Sequence, residues 1–205
     1  MTRLSSLVQP RRADRRSRTV LRPLAAGLMV ATVATVATVA TVATVAAHAA
    51  ADPLPLRVGD PFPPLNGEFL TGRSVTLPSA GQDRVTLILM GFTYASGHPV
   101  GAWGDWFREA VGTPPGVTFF EVPMIGGFAK LGRWFIDSGM RKGTPKALHE
   151  HVITVYSKTG DWKKRLGHSQ ANEDDAFLIL LDRDGVVRWL HHGPFEPTRA
   201  GELAS

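Results

Sequence analysis

Hydroxyl, imidazole and carboxylate groups are what this 205-residue chain has for chemistry, because it contains no cysteine. The zero count removes every mechanism that starts from a thiolate. Ser96-Gly97-His98 sets a hydroxyl two residues from an imidazole. A nucleophilic serine draws its base from another element and sits on a Gly-x-Ser-x-Gly elbow; both are missing here, so Ser96 reads as a loop residue. Six histidines follow residue 50: His98, His149, His151, His168, His191 and His192. Three of His98, His149, His151, His191 and His192 could in principle hold copper or zinc. His149-x-His151 shares one side of a strand only if the strand includes both, and a strand starting at Val152 leaves them diverging at a helix end. The simpler reading is surface or loop-end histidines. Asp182-Arg183-Asp184-Gly185 opens like a calcium loop, but its twelfth position is Gly193 rather than Glu, and a hairpin turn accounts for it.

The tryptophans are the second group of interest: Trp103, Trp106, Trp134, Trp162 and Trp189. Partly exposed tryptophan marks interfaces more often than most residues do. Trp103 and Trp106 with Phe107 are expected to overfill one helical face, which would leave at least one ring outside the core.

The formal charge of +5 and isoelectric point near 10.0 would suggest a nucleic-acid partner until they are located. Residues 1–23 hold seven arginines and one aspartate, which leaves 16 basic and 17 acidic residues for the rest of the chain. The basicity belongs to the leader, and no basic nucleic-acid surface is expected on the folded part. Leu24 to Ala47 is uncharged and largely a Val-Ala-Thr repeat, and Ala47-His48-Ala49 has the small residues of a signal-peptidase site. The 24-residue run is long for a signal core and long enough to span a bilayer, so it reads as a signal peptide or a retained anchor. Either way the arginines stay inside and the domain faces outward, periplasmic or extracellular. Arg15-Arg16 lacks the apolar residues expected after a twin-arginine pair. The intact mass of the exported protein is expected to correspond to a chain beginning at Ala50 or Ala51; a mass retaining residues 1–49 would instead identify an anchor.

The domain plan is residues 1–49 as targeting segment, 50–64 as a Pro-rich lead-in, and 65–205 as the working domain. Gly72 to Pro78 alternates like a short edge strand, and Val85 to Met90 is a continuous apolar run suited to a buried strand. Trp103, Trp106, Phe107, Ala110 and Val111 fall at helical spacing after a loop from Gly91 to Gly101. Gly112 to Gly116 ends that helix before a strand over Val117 to Val122. Phe128, Leu131 and Phe135 form a looser helical stripe with Trp134 beside it. Thr144-Pro145 is expected to cap a short helix, Val152 to Tyr156 to form a strand, and Asp161 to cap a helix through Leu166. Ala176 to Leu181 and Val186 to Leu190 flank Asp182 to Gly185 as a hairpin, with Asp-Gly supplying positive φ angles. Pro197 to Ala204 is a last short helix. Strands joined through helices are parallel and the hairpin adds an antiparallel strand at one edge, so the class is α/β with a mixed sheet.

Several of these segments resemble thioredoxin-like redoxins. Gly59-Asp60-Pro61-Phe62-Pro63 with Thr71 to Leu77 is similar to their opening, Leu87 to Tyr94 to their first central strand, and Leu180 to Trp189 to their last hairpin. The resemblance runs from about Leu56 to the C-terminus and implies a thioredoxin-like sandwich with helices on both faces and a C-terminal antiparallel hairpin. Where redoxins carry their cysteines this chain reads Ala95-Ser96-Gly97-His98-Pro99. Where they carry a cis-proline it reads Asn172-Glu173-Asp174-Asp175. Among thioredoxin-like families, Trp103, Leu166-Gly167 with Asn172, and Asp182 to Trp189 are most similar to the assembly factors for the membrane sector of mitochondrial ATP synthase. That resemblance implies no catalytic residue, no cofactor, and a protein client, a membrane protein that the domain holds or delivers. The copper chaperones of the fold use the cysteine pair that is absent here. The expected client surface is the old active-site face with Tyr94, His98 and Trp103, and membrane contact is expected through the N-terminal segment alone. A histidine-based metal protein and an enzyme of unidentified chemistry stand as alternatives.

Overall fold

The structure is a computed structural model that describes residues 52–112 and 114–204. The targeting segment read over residues 1–49 lies outside the described residues. The described residues of the lead-in, 52–64, form no strand or helix, yet they are docked: Leu56 and Phe62 are buried, and backbone bonds run from Leu56 to Arg165 and from Phe62 to Gly185.

Two strands follow, β1 (Leu65–Phe69) and β2 (Ser74–Leu77), paired antiparallel from Leu65↔Leu77 to Glu68↔Ser74. β2 buries Val75 and Leu77 and exposes Ser74 and Thr76, as its alternation requires. β1 is absent from the sequence reading because Asn66-Gly67-Glu68 carries no strand pattern. Tertiary contact makes it a strand: a Cβ at Gly67 would lie 2.4 Å from Ile153 Cγ2 and 2.9 Å from the Thr154 carbonyl, so only glycine lets the neighbouring chain approach.

β3 (Val85–Gly91) is buried along nearly its whole length and pairs parallel with β4 (Val117–Pro123). The crossover is α1 (Gly97–Trp106), which widens into a π-helical turn over Phe107–Val111 and ends at Gly112 with φ 70°. The helix starts six residues before the apolar spacing predicted, because Gly97, His98 and Gly101 hide its first turn. After a 3₁₀ turn over Gly127–Gly132 comes α2 (Arg133–Gly143), then β5 (Ile153–Thr154), which pairs with β1. β5 is shorter than the strand read over Val152 to Tyr156, but Val152 and Val155 bridge in parallel to Glu121 and Met124 and so continue the β4 edge. α3 (Thr159–Arg165) follows with Lys158 as its N-cap residue, so Asp161 lies in the first turn rather than at the cap. Thr144 likewise closes α2 instead of capping the 3₁₀ turn at Lys146–Leu148.

β6 (Ala176–Leu181) pairs antiparallel with β3, and β7 (Val187–Gly193) antiparallel with β6, giving the order β4-β3-β6-β7. α4 (Pro197–Ala204) ends the fold where the sequence places it. A parallel pair joined through a helix and closed by a C-terminal antiparallel hairpin is the thioredoxin-like arrangement. The hairpin turn differs from expectation, because Gly185 alone has positive φ (77°). Asp182 and Val186 bracket a three-residue loop in which Gly185 N–H donates to the Asp182 carbonyl at 3.1 Å. The Asp182 carboxylate accepts from the N–H groups of Asp184 and Val186 and pairs with Arg188, so the loop is organised by one side chain. Those bonds hold the Asp182 carboxyl below its ordinary range, the Val186 N–H contributing most.

Two cores flank the four-stranded sheet. One packs Leu87, Leu89, Phe119 and Leu178 against Val100, Trp103, Phe107 and Ala200 of the α1–α4 layer. The other packs Ile88, Met90, Phe120, Val122, Phe177 and Ile179 against β1, β2, the lead-in and Trp162 of α3. Of the two crowded rings Trp103 is fully buried and Trp106 is only half-buried, packed edge-on against Trp103 at 5.8 Å and beside Phe195.

The helical stripe read for this region faces solvent. Leu131, Trp134 and Phe135 point outward, while the face toward the body of the domain carries Arg133 and the buried Asp137. Arg133 donates to Glu68 of β1 at 2.6 Å and to Asp137 at 3.4 Å, and its guanidinium lies 4.7 Å over the Tyr156 ring. The Tyr156 hydroxyl donates to Asp137 at 2.6 Å. Burial, then the Asp137 contact, drive the Tyr156 pKa upward. A charged network holds this helix, so its apolar residues are free to face away.

Candidate functional site

The loop leaving the C-terminal end of β3 is built by two side chains that satisfy each other's backbone. Ser96 N–H donates to Thr93 Oγ1 at 3.0 Å, and Thr93 N–H donates to Ser96 Oγ at 3.1 Å. This is the reciprocal pattern of a capping box, set one turn ahead of α1. The Ser96 hydroxyl donates its proton to the Thr93 carbonyl at 2.8 Å, and the residue is fully buried. Its one donor is committed to the loop, which rules it out as a nucleophile in this conformation. Gly91 makes room, since a Cβ there would lie 2.5 Å from Ser96 Oγ.

The Thr93 hydroxyl donates to Asp174 Oδ1 at 2.6 Å and so ties this loop to the one before β6. The segments Tyr94 to Pro99 and Asn172 to Asp175 therefore meet. The second of them carries its own lock: Ser169 and Asn172 form a capping box, and Asn172 also donates to the Gly167 carbonyl. Polar side chains give this face its shape, with no thiol in either loop and no proline in the segment before β6.

On that scaffold Tyr94 is 96% exposed, and Ala95, Gly97 and His98 are also exposed, with Pro99 half-buried. Trp103 sits apart. It is 0% exposed, its rings pack edge-on to Phe195 at 5.1 Å, and its indole N–H donates to the Gly193 carbonyl at 3.4 Å. It supports α1 from inside the core and presents nothing to a partner, which corrects its assignment as a contact residue.

The other histidines are spent separately. The His149 ring contacts the Thr144 carbonyl at 3.0 Å, and His151 contacts the Phe119 carbonyl at 2.9 Å while stacking on the Phe119 ring. His192 pairs with Asp175 at 2.7 Å. His168 lies against Phe92 and Phe177, and His191 against Trp103 and Trp189; burial lowers both pKa values, so both rings favour the neutral form. Among the described residues no three His, Cys, Asp or Glu side chains gather to hold a metal ion.

Two features escaped the sequence reading. The first is Glu121, on β4 opposite Leu89, whose carboxyl lies under Gly104 of α1. Burial pushes its pKa up to about 7, with Arg108 pulling it down and Asp105 pushing it up. A lone Glu in the apolar run Val117 to Val122 was the signal available. The second is the outward set Leu131, Trp134 and Phe135, which departs from the segment following β4 just as Tyr94 departs from that following β3. Met124 N–H donates to the Gly91 carbonyl at 2.8 Å, so both segments start side by side.

No family model and no curated protein matches the chain. Among solved structures it is similar to the thioredoxin domain of a thiol-disulfide oxidoreductase from Bacteroides vulgatus, at 16% identity and a TM-score of 0.46 over 73% of this chain and 98% of that one. It is also similar to an exposed lipoprotein thioredoxin from Streptococcus pneumoniae, at 11% identity and 0.46 over 69% and 97%. A peroxiredoxin-like protein from Aquifex aeolicus follows at 14% identity and 0.48 over 73% and 87%. Strand order, register and crossover carry the assignment: the chain is a thioredoxin-like α/β domain that contains no thiol.

Proposed function

We propose that this protein is a non-catalytic thioredoxin-like domain, working outside the cytoplasmic membrane, that binds a protein client through the loop after β3. The observation that carries the reading is the loop itself. Its shape is held by the Thr93–Ser96 box and the Thr93–Asp174 bond, and at its tip a tyrosine stands almost fully in solvent. A preorganised loop with an exposed aromatic and no reactive group is suited to contact rather than chemistry, because little ordering entropy remains to be lost on binding. The likeness to membrane-sector assembly factors extends the reading to a client that is itself a membrane protein, which the domain holds or delivers. The uncharged run of residues 24–47 fits that setting, as signal or as anchor.

The test is capture from detergent-solubilised membranes by the full chain and by Tyr94→Ala. Loss of a central aromatic anchor is expected to weaken capture of the same client roughly tenfold or more. Melting should shift by no more than about 2 °C, because an exposed side chain contributes little to stability. Wild-type capture by Tyr94→Ala would make this face a relic and place the interface elsewhere.

A further inference from the structure

We propose that the surface formed by the 3₁₀ turn at Gly127–Gly132 and α2 docks onto an anionic lipid bilayer, as a second membrane contact independent of the N-terminal segment and of the client contact at Tyr94. Three observations converge on this surface. Leu131, Trp134 and Phe135 are 88%, 69% and 75% exposed, and the two rings pack edge-to-face at 4.9 Å, so the aromatic pair is presented as a unit. The opposite side of α2 is fixed to the domain by the Glu68–Arg133–Asp137–Tyr156 network. The apolar side is therefore aimed outward by charged anchors and is not a core face awaiting burial within this chain.

The charge distribution selects the occupant. Residues 126–149 carry Lys130, Arg133, Arg141, Lys142 and Lys146 against Asp137, a net of +4 in sequence that becomes +3 when Glu68, the partner of Arg133, is included. The rest of the chain from residue 24 onward carries 11 basic and 16 acidic residues, a net of −5. Lys142 and Lys146 are exposed, and Arg141 is half-buried. Tryptophan, phenylalanine and leucine bordered by lysine and arginine are the composition that lies in a headgroup layer, with rings at the acyl boundary and cations on the phosphates. A second copy fits poorly, since a two-fold contact would set one cationic surface against another, and three side chains fall short of the roughly 800 Å² per partner of a stable dimer. Aromatic anchoring and the cations act on the same lipid surface, so each strengthens the other.

The experiment uses the full chain, vesicles of brominated phosphatidylcholine and phosphatidylglycerol, and quenching of tryptophan emission. Residues 1–51 contain no tryptophan, so insertion of the leader brings no fluorophore into the bilayer. Trp103 and Trp162 are buried, which leaves Trp134 as the most exposed reporter. Wild type is expected to be quenched on anionic vesicles, and Trp134→Phe, which keeps the face apolar, to lose at least half of that quenching. Arg141→Glu with Lys142→Glu is expected to weaken vesicle partition roughly tenfold or more at low salt. Equal quenching of wild type and Trp134→Phe overturns the proposal, since it places Trp134 outside the lipid even when the leader is inserted. Equal quenching of wild type on anionic and on pure phosphatidylcholine vesicles overturns it as well. Client capture through Tyr94 is read separately and can fail without altering either result.

Discussion

Trp103→Ala is expected to melt roughly 12 °C below the wild-type chain while leaving client capture per folded molecule unchanged. The side chain is fully buried, packed by Trp106, Phe195 and His191, and bonded to the Gly193 carbonyl. Truncating a buried tryptophan costs about 4 kcal/mol, through lost transfer energy and through the cavity that remains. For a domain of this size each kcal/mol shifts melting by about 3 °C. The Gly193 carbonyl also loses its indole donor at the end of β7, which adds to the cost. Trp103→Phe keeps a ring against Phe195 and should recover about half of the loss, because most of the volume is conserved. Thermal melts of the variants, with capture measured well below each midpoint, separate core support from contact. A Trp103→Ala chain that melts within 2 °C of wild type would show that the α1 core does not depend on this ring. One that melts normally but fails to capture would return Trp103 to the client surface. Tyr94→Ala should give the opposite pattern, with capture lost and stability kept.

The contrast between these two aromatics shows where the sequence was legible. Elements whose apolar residues decide their own fate were readable: the continuous run of β3, the Val117 to Val122 run of β4, the β6–β7 hairpin and α4 lie where the pattern puts them. β1 was not readable, because Gly67 is chosen for the approach of Ile153 rather than for strand propensity. The facing of α2 was not readable for a related reason. Leu131, Trp134 and Phe135 have core-like spacing, and what turns them outward is Arg133 meeting Glu68, a residue 65 positions away, and Asp137 meeting Tyr156. No local period encodes a long-range ion pair. At the candidate site, the resemblance marked the two loops at 95–99 and 172–175, and the Thr93–Asp174 bond joins them across 81 positions. The burial of Trp103 did not follow, since helical spacing places it on the same side as Trp106 without saying how much room Phe195 and Gly193 leave. The histidines show the same limit. Their count suggested a site, while each ring has a separate neighbour, such as the Phe119 carbonyl for His151 and Asp175 for His192.

Glu121→Gln is expected to stabilise the folded chain by about 3 kcal/mol at pH 8 and to change little at pH 4.5. Burial between β4 and α1 penalises the charged carboxylate and raises its pKa to about 7. Arg108 attracts it, but Arg108 is engaged with Asp105, and Asp105 repels it. Backbone geometry adds confinement: Gly104 stands directly over the carboxyl, where a Cβ would lie 2.6 Å from Oε1. In the unfolded chain the group titrates near its ordinary value of 4.5. Below that pH both states hold the proton, and the neutral acid costs folding little. Between 4.5 and about 7 the folded state keeps a proton that the unfolded state releases, so stability falls as pH rises, by at most about 1.4 kcal/mol per unit. Above about 7 both states are ionised and the full penalty stands. Glutamine has the shape of the neutral acid and no charge to bury, so it removes the penalty where it exists and does nothing where it does not. The remaining carboxylates and histidines titrate alike in both proteins, and their contribution cancels in the difference. Urea denaturation of the two chains at pH 4.5, 6 and 8 should therefore give curves that coincide at the lowest pH and separate steadily above it. Two stability profiles that run parallel across this range would show that Glu121 reaches solvent when it ionises, and that its place under Gly104 imposes no cost on the fold.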